Sequence, residues 1–385
     1  MAEAIHQPVS AVDVNTDATK IEQGIALCLS GGGYRAMVFH LGPIIRLNEV
    51  GLLKKLSRIS SVSGGSITAG RLGLEWGNLQ FDKNGIAQNL RETVVDPIRA
   101  LAERTIDADS ILGGILVPGV SISDKIVKAY RSHIFGDATL QDLPADQQGP
   151  RFVINATNVQ SGALWRFSRP YMGDYQVGRV LNPSIALAVA VAASSAFPPI
   201  LSPLVMELKN EAFAADPTAT LQRAPFTTEV VLSDGGVYDN LGLETAWKRY
   251  RSILVSDGGG KMPPQPEPKR DWARHAFRIN DIIDNQVRSL RKRQLIDAFK
   301  TAKDHDGTYW GIRSHLKDYS ASTGLICPDD RTLELASTPT RLKRLEPFYQ
   351  DRLINWGYAI CAAATETHFS GPIKASIHFP YPGGV

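Results

Sequence analysis

Three clusters in this 385-residue sequence place a reactive side chain or a set of backbone donors beside glycines. In Ser61-Val62-Ser63-Gly64-Gly65 an apolar run ends on a serine and a small-residue segment begins. That is the setting of a nucleophile elbow, where strand and helix approach so closely that only small residues fit two positions either side of the serine. Ser61 and Gly65 meet that limit, which makes Ser63 a candidate nucleophile, although Ser61 stands where the general G-x-S-x-G pattern has glycine. The plain alternative is a serine-glycine turn at a strand end. Upstream, Gly31-Gly32-Gly33 again lies between an apolar run and a helical pattern. Successive glycines let backbone N–H groups turn inward, and with the Gly64 N–H they form a candidate oxyanion hole; one such donor is commonly worth about 3–4 kcal/mol in acyl transfer. The positive end of the following helix adds to the field. A phosphate-binding loop is the competing reading, but neither the G-x-G-x-x-G spacing nor a Walker lysine is present. Arg35, two residues past the triplet, is placed to hold a phosphate headgroup or to brace the loop.

A serine nucleophile needs a base. Asp234 in Ser233-Asp234-Gly235-Gly236 follows an apolar run, and its glycines allow a turn that points the carboxylate back over a sheet edge. Ser256-Asp257-Gly258-Gly259 repeats the pattern a strand later. Chemistry alone leaves Asp234 and Asp257 open, because an aspartate before glycine often only shapes a turn. His275, His305, His315, His368 and His378 follow Asp234 in chain order, as a triad histidine would, but none stands in a distinctive loop. They read as surface or hydrogen-bonded residues, and His40 as a packing residue. No His, Cys or carboxylate pair has ligand spacing, so neither a metal nor a cofactor is expected.

These clusters need a scaffold that brings strand ends together. Ile25–Leu29 reads as a buried strand, and Arg35 to about Val50 as a helix with a break at Gly42-Pro43 and a cap at Gly51. Arg58 to Val62 is the next strand, followed by a helix from Ile67. Arg151–Thr157, Glu229–Ser233 and Ser252–Ser256 are further strands, rich in β-branched residues. Strand, glycine turn and helix in succession predict an α/β fold with a mostly parallel central sheet. Residues of about 77–148 exceed a single crossover and read as a helical insertion or lid. Lys261–Arg270 is a proline-rich loop, and the basic, helical stretch Asp271–Thr301 follows.

Composition narrows the function further. Lys plus Arg (42) nearly balance Asp plus Glu (39), and 43% of residues are apolar, which excludes wholesale disorder and gives no electrostatic case for nucleic acid. Cys28, Cys327 and Cys361 form neither a zinc ribbon nor a disulfide framework and are expected to be reduced. The polar stretch Met1–Lys20 lacks the features of a secretory signal, so the cytoplasm is the default expectation. The apolar run Ile185–Ala193 is far short of the roughly 20 residues that cross a bilayer, so any membrane contact is peripheral, at the inner surface. Ile111–Val120 is either an interfacial patch or core, and Arg288–Arg293 either meets anionic headgroups or is a solvated helix face.

The ordered motifs LSGGGYRAM, SVSGGS and LSDGGVYDN resemble the patatin-like phospholipase family, and GGGYRAM is similar to the cytosolic phospholipase A2 branch of that superfamily. The resemblance runs from Ile25 to Asn240 and takes in INATNVQSG and ASSAFPP. It implies a three-layer α/β/α fold with helices on both faces of the sheet and a Ser–Asp dyad. Ser63 is then the nucleophile and Asp234 the base, because the family's D-G-G is followed by an asparagine, here Asn240, and none follows Asp257. Ser61 and Ala36 depart from the family pattern, and neither substitution removes a reacting atom. The implied organisation is a leader at 1–23, a catalytic domain at 24–260 and a helical, basic extension at 261–385 packed on it. The implied activity is hydrolysis of phospholipid or lysophospholipid acyl esters through an acyl-enzyme, without calcium. A transacylase using the same dyad and a silent lipid-binding module are the alternatives; oligomeric state is not legible.

Overall fold

Strand β1 (Glu22–Leu29) sorts its side chains between two cores, and that sorting organises the chain. In the computed structural model, which describes residues 21–106, 122–199, 201–209, 211–301, 305–321, 323–369 and 378–385, Leu27 and Leu29 point into a large cluster. Ala26 and Cys28 point into a smaller one on the opposite face. Alternation of this kind, with both faces apolar, marks a strand covered on both sides. The other strands are β2 (Arg58–Val62), β3 (Arg151–Asn158), β4 (Ala163–Phe167), β5 (Tyr171–Asp174), β6 (Gly178–Leu181), β7 (Leu204–Glu207), β8 (Glu229–Asp234), β9 (Tyr250–Asp257) and β10 (Asp306–Gly311).

The sheet order is β10-β9-β1-β2-β3-β4-β5-β6, with β8 also paired to β3 and β7 to β8. Parallel pairing joins β10, β9, β1, β2 and β3. β4, β5, β6, β7 and β8 are all joined antiparallel, so the sheet is mixed rather than mostly parallel. Short connections explain the difference: a link such as Val159–Gly162 can close only a hairpin, since a parallel return needs a crossover. β5, β6 and β7 have four residues each, and β4 five with no glycine turn after it to mark its end, too little alternation to be read in sequence.

Helices α1 (Gly33–Phe39), α2 (Leu41–Glu49) and α3 (Gly64–Leu74) lie on the face of the large core. α4 (Asp96–Ala102) and α5 (Ile122–Tyr130) belong to the insertion, and α6 (Leu187–Ser194) packs beside α3 and β3. The short α7 (Gly236–Asp239) lies against β3 and β4, and the smaller core is covered by α8 (Glu244–Trp247) and the long α9 (Trp272–Thr301), which buries Leu295 there. α10 (Asp329–Ala336) and α11 (Pro347–His368) return to the first face. The three-layer α/β/α arrangement thus follows from the two-sided burial of β1. The break expected at Gly42-Pro43 falls at His40 instead, which leaves Pro43 in the first turn of α2, where its missing N–H costs nothing.

The expected boundary at residue 260 runs through the sheet: β10 lies beyond it and pairs with β9 along Asp306–Gly311. The apolar run Ile111–Val120 falls outside the described residues, as does the leader up to residue 20. No described helix is long and apolar enough to cross a membrane. α11 meets α2 and the end of α1 backbone to backbone at two glycines: a Cβ at Gly42 would lie 2.2 Å from the Ile354 carbonyl oxygen, and one at Gly357 2.2 Å from that of Phe39. Gly42→Val and Gly357→Val are each expected to destabilise the protein by about 3 kcal/mol or more, because rigid backbone must move. Urea unfolding measures the loss.

Candidate active site

Register explains how two distant residues meet. β4 occupies one edge of β3 over Ile154–Asn158, so β2 and β8 share the other edge. β2 reaches Asn155 with Val62, and β8, running the opposite way, reaches Ala156 with Asp234. The two strands end head to head, and the residues at their ends, Ser63 and Asp234, face each other across that gap.

Ser63 sits at φ 51° and ψ −121°, in the left-handed half of backbone space, as a nucleophile elbow requires. A serine on the neighbouring helix holds it there. The Ser63 N–H donates to Ser194 Oγ at 2.9 Å, and the Ser194 hydroxyl donates to the Asn155 carbonyl at 2.6 Å. Ser66 Oγ lies 2.9 Å from Ser194 Oγ and donates to Ser61 Oγ at 3.0 Å. Ser61, the residue in place of the usual glycine, is therefore part of the brace. Ser194 was visible in sequence only as part of ASSAFPP; no local spacing tied its hydroxyl to Ser63.

Asp234 is 2% exposed. Its Oδ1 accepts the Gly236 N–H at 2.7 Å, while Oδ2 is buried and completes no hydrogen bond among the described residues. The Ser63 hydroxyl is close enough to favour the ionised form without completing that bond. Hydrogen bonds of this type are often long before substrate arrives. Burial pushes the Asp234 carboxyl up to about 7, against the opposing pull of the Gly236 N–H and the Ser63 hydroxyl, and the nearby Asp284 adds to the rise.

Asp257 lies in a different setting. Its carboxylate accepts the Tyr309 hydroxyl at 2.7 Å, the Gly259 N–H at 2.8 Å and the Ser30 hydroxyl at 3.3 Å. Burial alone would raise it, but the Arg288 guanidinium and these donors hold it below the ordinary carboxylate range. It is a satisfied structural acid and does not line the cavity at Ser63.

The glycine loop abuts the elbow. A Cβ on Gly64 would lie 2.1 Å from the Gly33 carbonyl oxygen, so only glycine permits this contact. The N–H groups of Gly32, Gly33 and Gly64 have no acceptor among the described residues. Gly31 departs from the expectation: its N–H donates to the Asn240 carbonyl at 3.1 Å, so it ties the glycine loop to the Asp234 turn and offers no donor to a ligand. Arg35 braces rather than reaches outward. Its Nε donates to the Gly258 carbonyl at 3.0 Å, Nη1 to the Thr338 carbonyl, and Nη2 to Thr340 Oγ1 at 2.9 Å. Burial lowers it to about 10, with the neighbouring Arg288 adding to the fall, so it stays cationic near neutrality.

Ser63 and Asp234 lie on a cavity of about 580 Å³, together with the glycine loop, Phe197, Pro198 and Leu201. Its far wall is α9, through Arg278, Asp281, Asp284 and Arg288, with Thr338–Leu342 closing another side. No histidine lines it among the described residues. His40 is buried and held neutral: burial lowers it to about 4, Nε2 donates to the Ser30 carbonyl at 3.0 Å, and Nδ1 accepts from Ser256 Oγ at 2.8 Å. His305 bonds the Trp247 carbonyl and His315 the Asp329 carboxylate. The described residues hold no cluster of metal-ligating side chains.

Fold and site together are those of an α/β protein with a serine on a strained strand-to-helix turn facing a buried carboxylate. Residues 27–247, more than half of the chain, match the family model for the patatin-like phospholipase, and the chain belongs to that family. Human GIVD cytosolic phospholipase A2 bound to methyl gamma-linolenyl fluorophosphonate is similar at 13% identity and TM-score 0.48, over 89% of this chain and 58% of that one. Another structure of the human enzyme gives 14% identity and TM-score 0.40, over 64% and 46%. VipD from Legionella pneumophila gives 16% and 0.34, over 89% and 66%. The chain spans about half the length of the cytosolic phospholipase chains it matches. No curated protein matches it.

The buried carboxylate has a cost to stability. With the folded-state value raised to about 7, the folded protein holds this proton over a range where the unfolded chain has released it, so stability falls as pH rises towards 7. Asp234→Asn removes that loss. The variant is expected to be more stable than wild type at pH 8, on the order of 2 kcal/mol, with the difference closing towards pH 4. Thermal unfolding at the two pH values checks the sign. Ser194→Ala leaves the Ser63 N–H and the Asn155 carbonyl without their buried partner and is expected to cost about 1–3 kcal/mol in urea unfolding.

Proposed function

We propose that this protein is a serine acyl hydrolase cleaving fatty-acyl esters of phospholipids or lysophospholipids, with Ser63 as nucleophile and Asp234 as general base. The observation that carries the reading is the buried, unsatisfied Oδ2 of Asp234 beside a serine on a strained elbow, both open to one cavity. A carboxylate near its ordinary value of about 4 is a weak base towards serine. One raised to about 7 by burial is matched to work near neutral pH.

In the proposed reaction Ser63 Oγ attacks the ester carbonyl as its proton passes to Asp234. The alkoxide settles on the N–H groups of Gly32, Gly33 and Gly64, fixed donors that need no reorganisation. Asp234 then passes its proton to the leaving alcohol; water, deprotonated by the same carboxylate, attacks the acyl carbon, and the proton returns from Asp234 to Ser63 Oγ as the fatty acid leaves. Gly31 and Arg35 hold the loop in place. The apolar rim at Phe197, Pro198, Leu201 and Met262 suits acyl chains, and delivery of such a substrate implies peripheral contact with a membrane surface.

A fluorophosphonate probe is expected to label Ser63, and Ser63→Ala to abolish both labelling and fatty-acid release from mixed vesicles. Asp234→Asn is expected to lower turnover by roughly a thousandfold or more, while Asp257→Asn stays within about tenfold of wild type. Wild-type kcat/KM should rise with pH through an apparent value of about 7, as Asp234 loses its proton. Full activity in Asp234→Asn, or absence of label at Ser63, overturns the assignment.

A further inference from the structure

The basic stretch at Arg288–Arg293 does not present its cations to solvent as a group. Arg288 Nη2 donates to the Gly260 carbonyl at 2.9 Å. Arg291 pairs with Glu244 at 3.1 Å and lies 3.9 Å from Asp239. Lys292 sits over the Tyr309 ring. The outward face of α9 is apolar instead: Trp272 is 86% exposed, Ile283 and Leu290 50% each, and Ile279, Ile282 and Val287 are exposed beside them. Trp272, Ile279, Ile283, Val287 and Leu290 recur at helical spacing, so they form one stripe about 27 Å long. Arg278, Asp281, Asp284 and Arg288, on the opposite face, line the cavity.

We propose that this stripe is a docking surface for an anionic bilayer. The proposal rests on the hydrolase reading only in naming that bilayer as the source of substrate. An exposed apolar stripe of this length is not accounted for by contacts within the described chain, and charge decides what covers it. Among the exposed residues between 261 and 301 six are Lys or Arg and four are Asp or Glu, whereas the rest of the chain, with 32 Lys and Arg against 34 Asp and Glu, is slightly acidic. Lys269, Arg270, Arg293 and Lys300 are exposed along and beyond the stripe, and Arg274 beside them is paired with Asp271 at 2.7 Å. Apolar residues flanked by cations lie stably in the interface of anionic lipid. A second copy is the poorer partner: antiparallel pairing of two stripes brings Lys269 and Arg270 of one beside Arg293 of the other. Docking also places the cavity behind α9, with Phe197 at its rim, within about one helix diameter of the bilayer.

The test compares wild type with Ile279→Asp/Ile283→Asp and with Arg270→Glu/Arg293→Glu. Flotation with phosphatidylcholine vesicles, with and without phosphatidylglycerol, reads binding, and turnover of p-nitrophenyl butyrate reads the site. The apolar variant is expected to bind at least about tenfold more weakly, with fatty-acid release from vesicles falling in step and soluble-ester turnover unchanged. The charge variant is expected to lose the preference for phosphatidylglycerol. Unchanged vesicle binding by the apolar variant overturns the proposal, as does a wild-type dimer that this variant converts to monomer without altering vesicle binding. A wild type that binds vesicles through the stripe but cleaves no ester refutes the hydrolase reading and leaves the docking surface standing.

Discussion

The molecule depends on one constraint: a carboxyl group must be kept out of water beside a serine. Burial of an unpaired carboxylate is costly, and here the cost appears as a proton affinity raised to about 7. The fold accommodates it through the shared edge of β3, where β2 and β8 arrive from opposite directions and stop. Neither strand could be longer by a residue without closing the gap that the two side chains occupy.

Several groups beside that gap hold backbone in place. Ser194 fixes the elbow, and Gly31 links the glycine loop to Asn240. Arg35 joins the loop to Gly258 and to Thr338–Thr340. The contrast between Asp234 and Asp257 shows how local the difference is. Both end a strand, both precede two glycines, and both are buried. One lacks a partner for an oxygen; the other has tyrosine, serine and backbone donors and a nearby arginine.

Much of this was legible in the sequence because it depends on local rules. The strand β2 was read to the residue, and β1, β3, β8 and β9 to within a few, since β-branched runs ending on glycine are strong signals. Ser63, Asp234, Asp257 and the glycine triplet stood out for the same reason, and only the family resemblance set Asp234 above Asp257. The antiparallel strands β4, β5, β6 and β7 are too short to show alternation, and β10 is a glycine-bounded run with no apolar stretch. The pairing of Gly31 with Asn240 and the inward turn of Arg288, Arg291 and Lys292 depend on partners far along the chain, which no window of sequence contains.

The cavity is built from two stretches of unequal reach. The elbow, the glycine loop and the Asp234 turn all lie before residue 240, whereas α9 and Thr338–Leu342 supply the remaining walls. The ribosome therefore delivers the serine and the carboxylate well before it delivers the enclosure that keeps them dry. A chain cut by a protease after β9 keeps Ser63 and Asp234 but loses the walls that α9 and Thr338–Leu342 set around them.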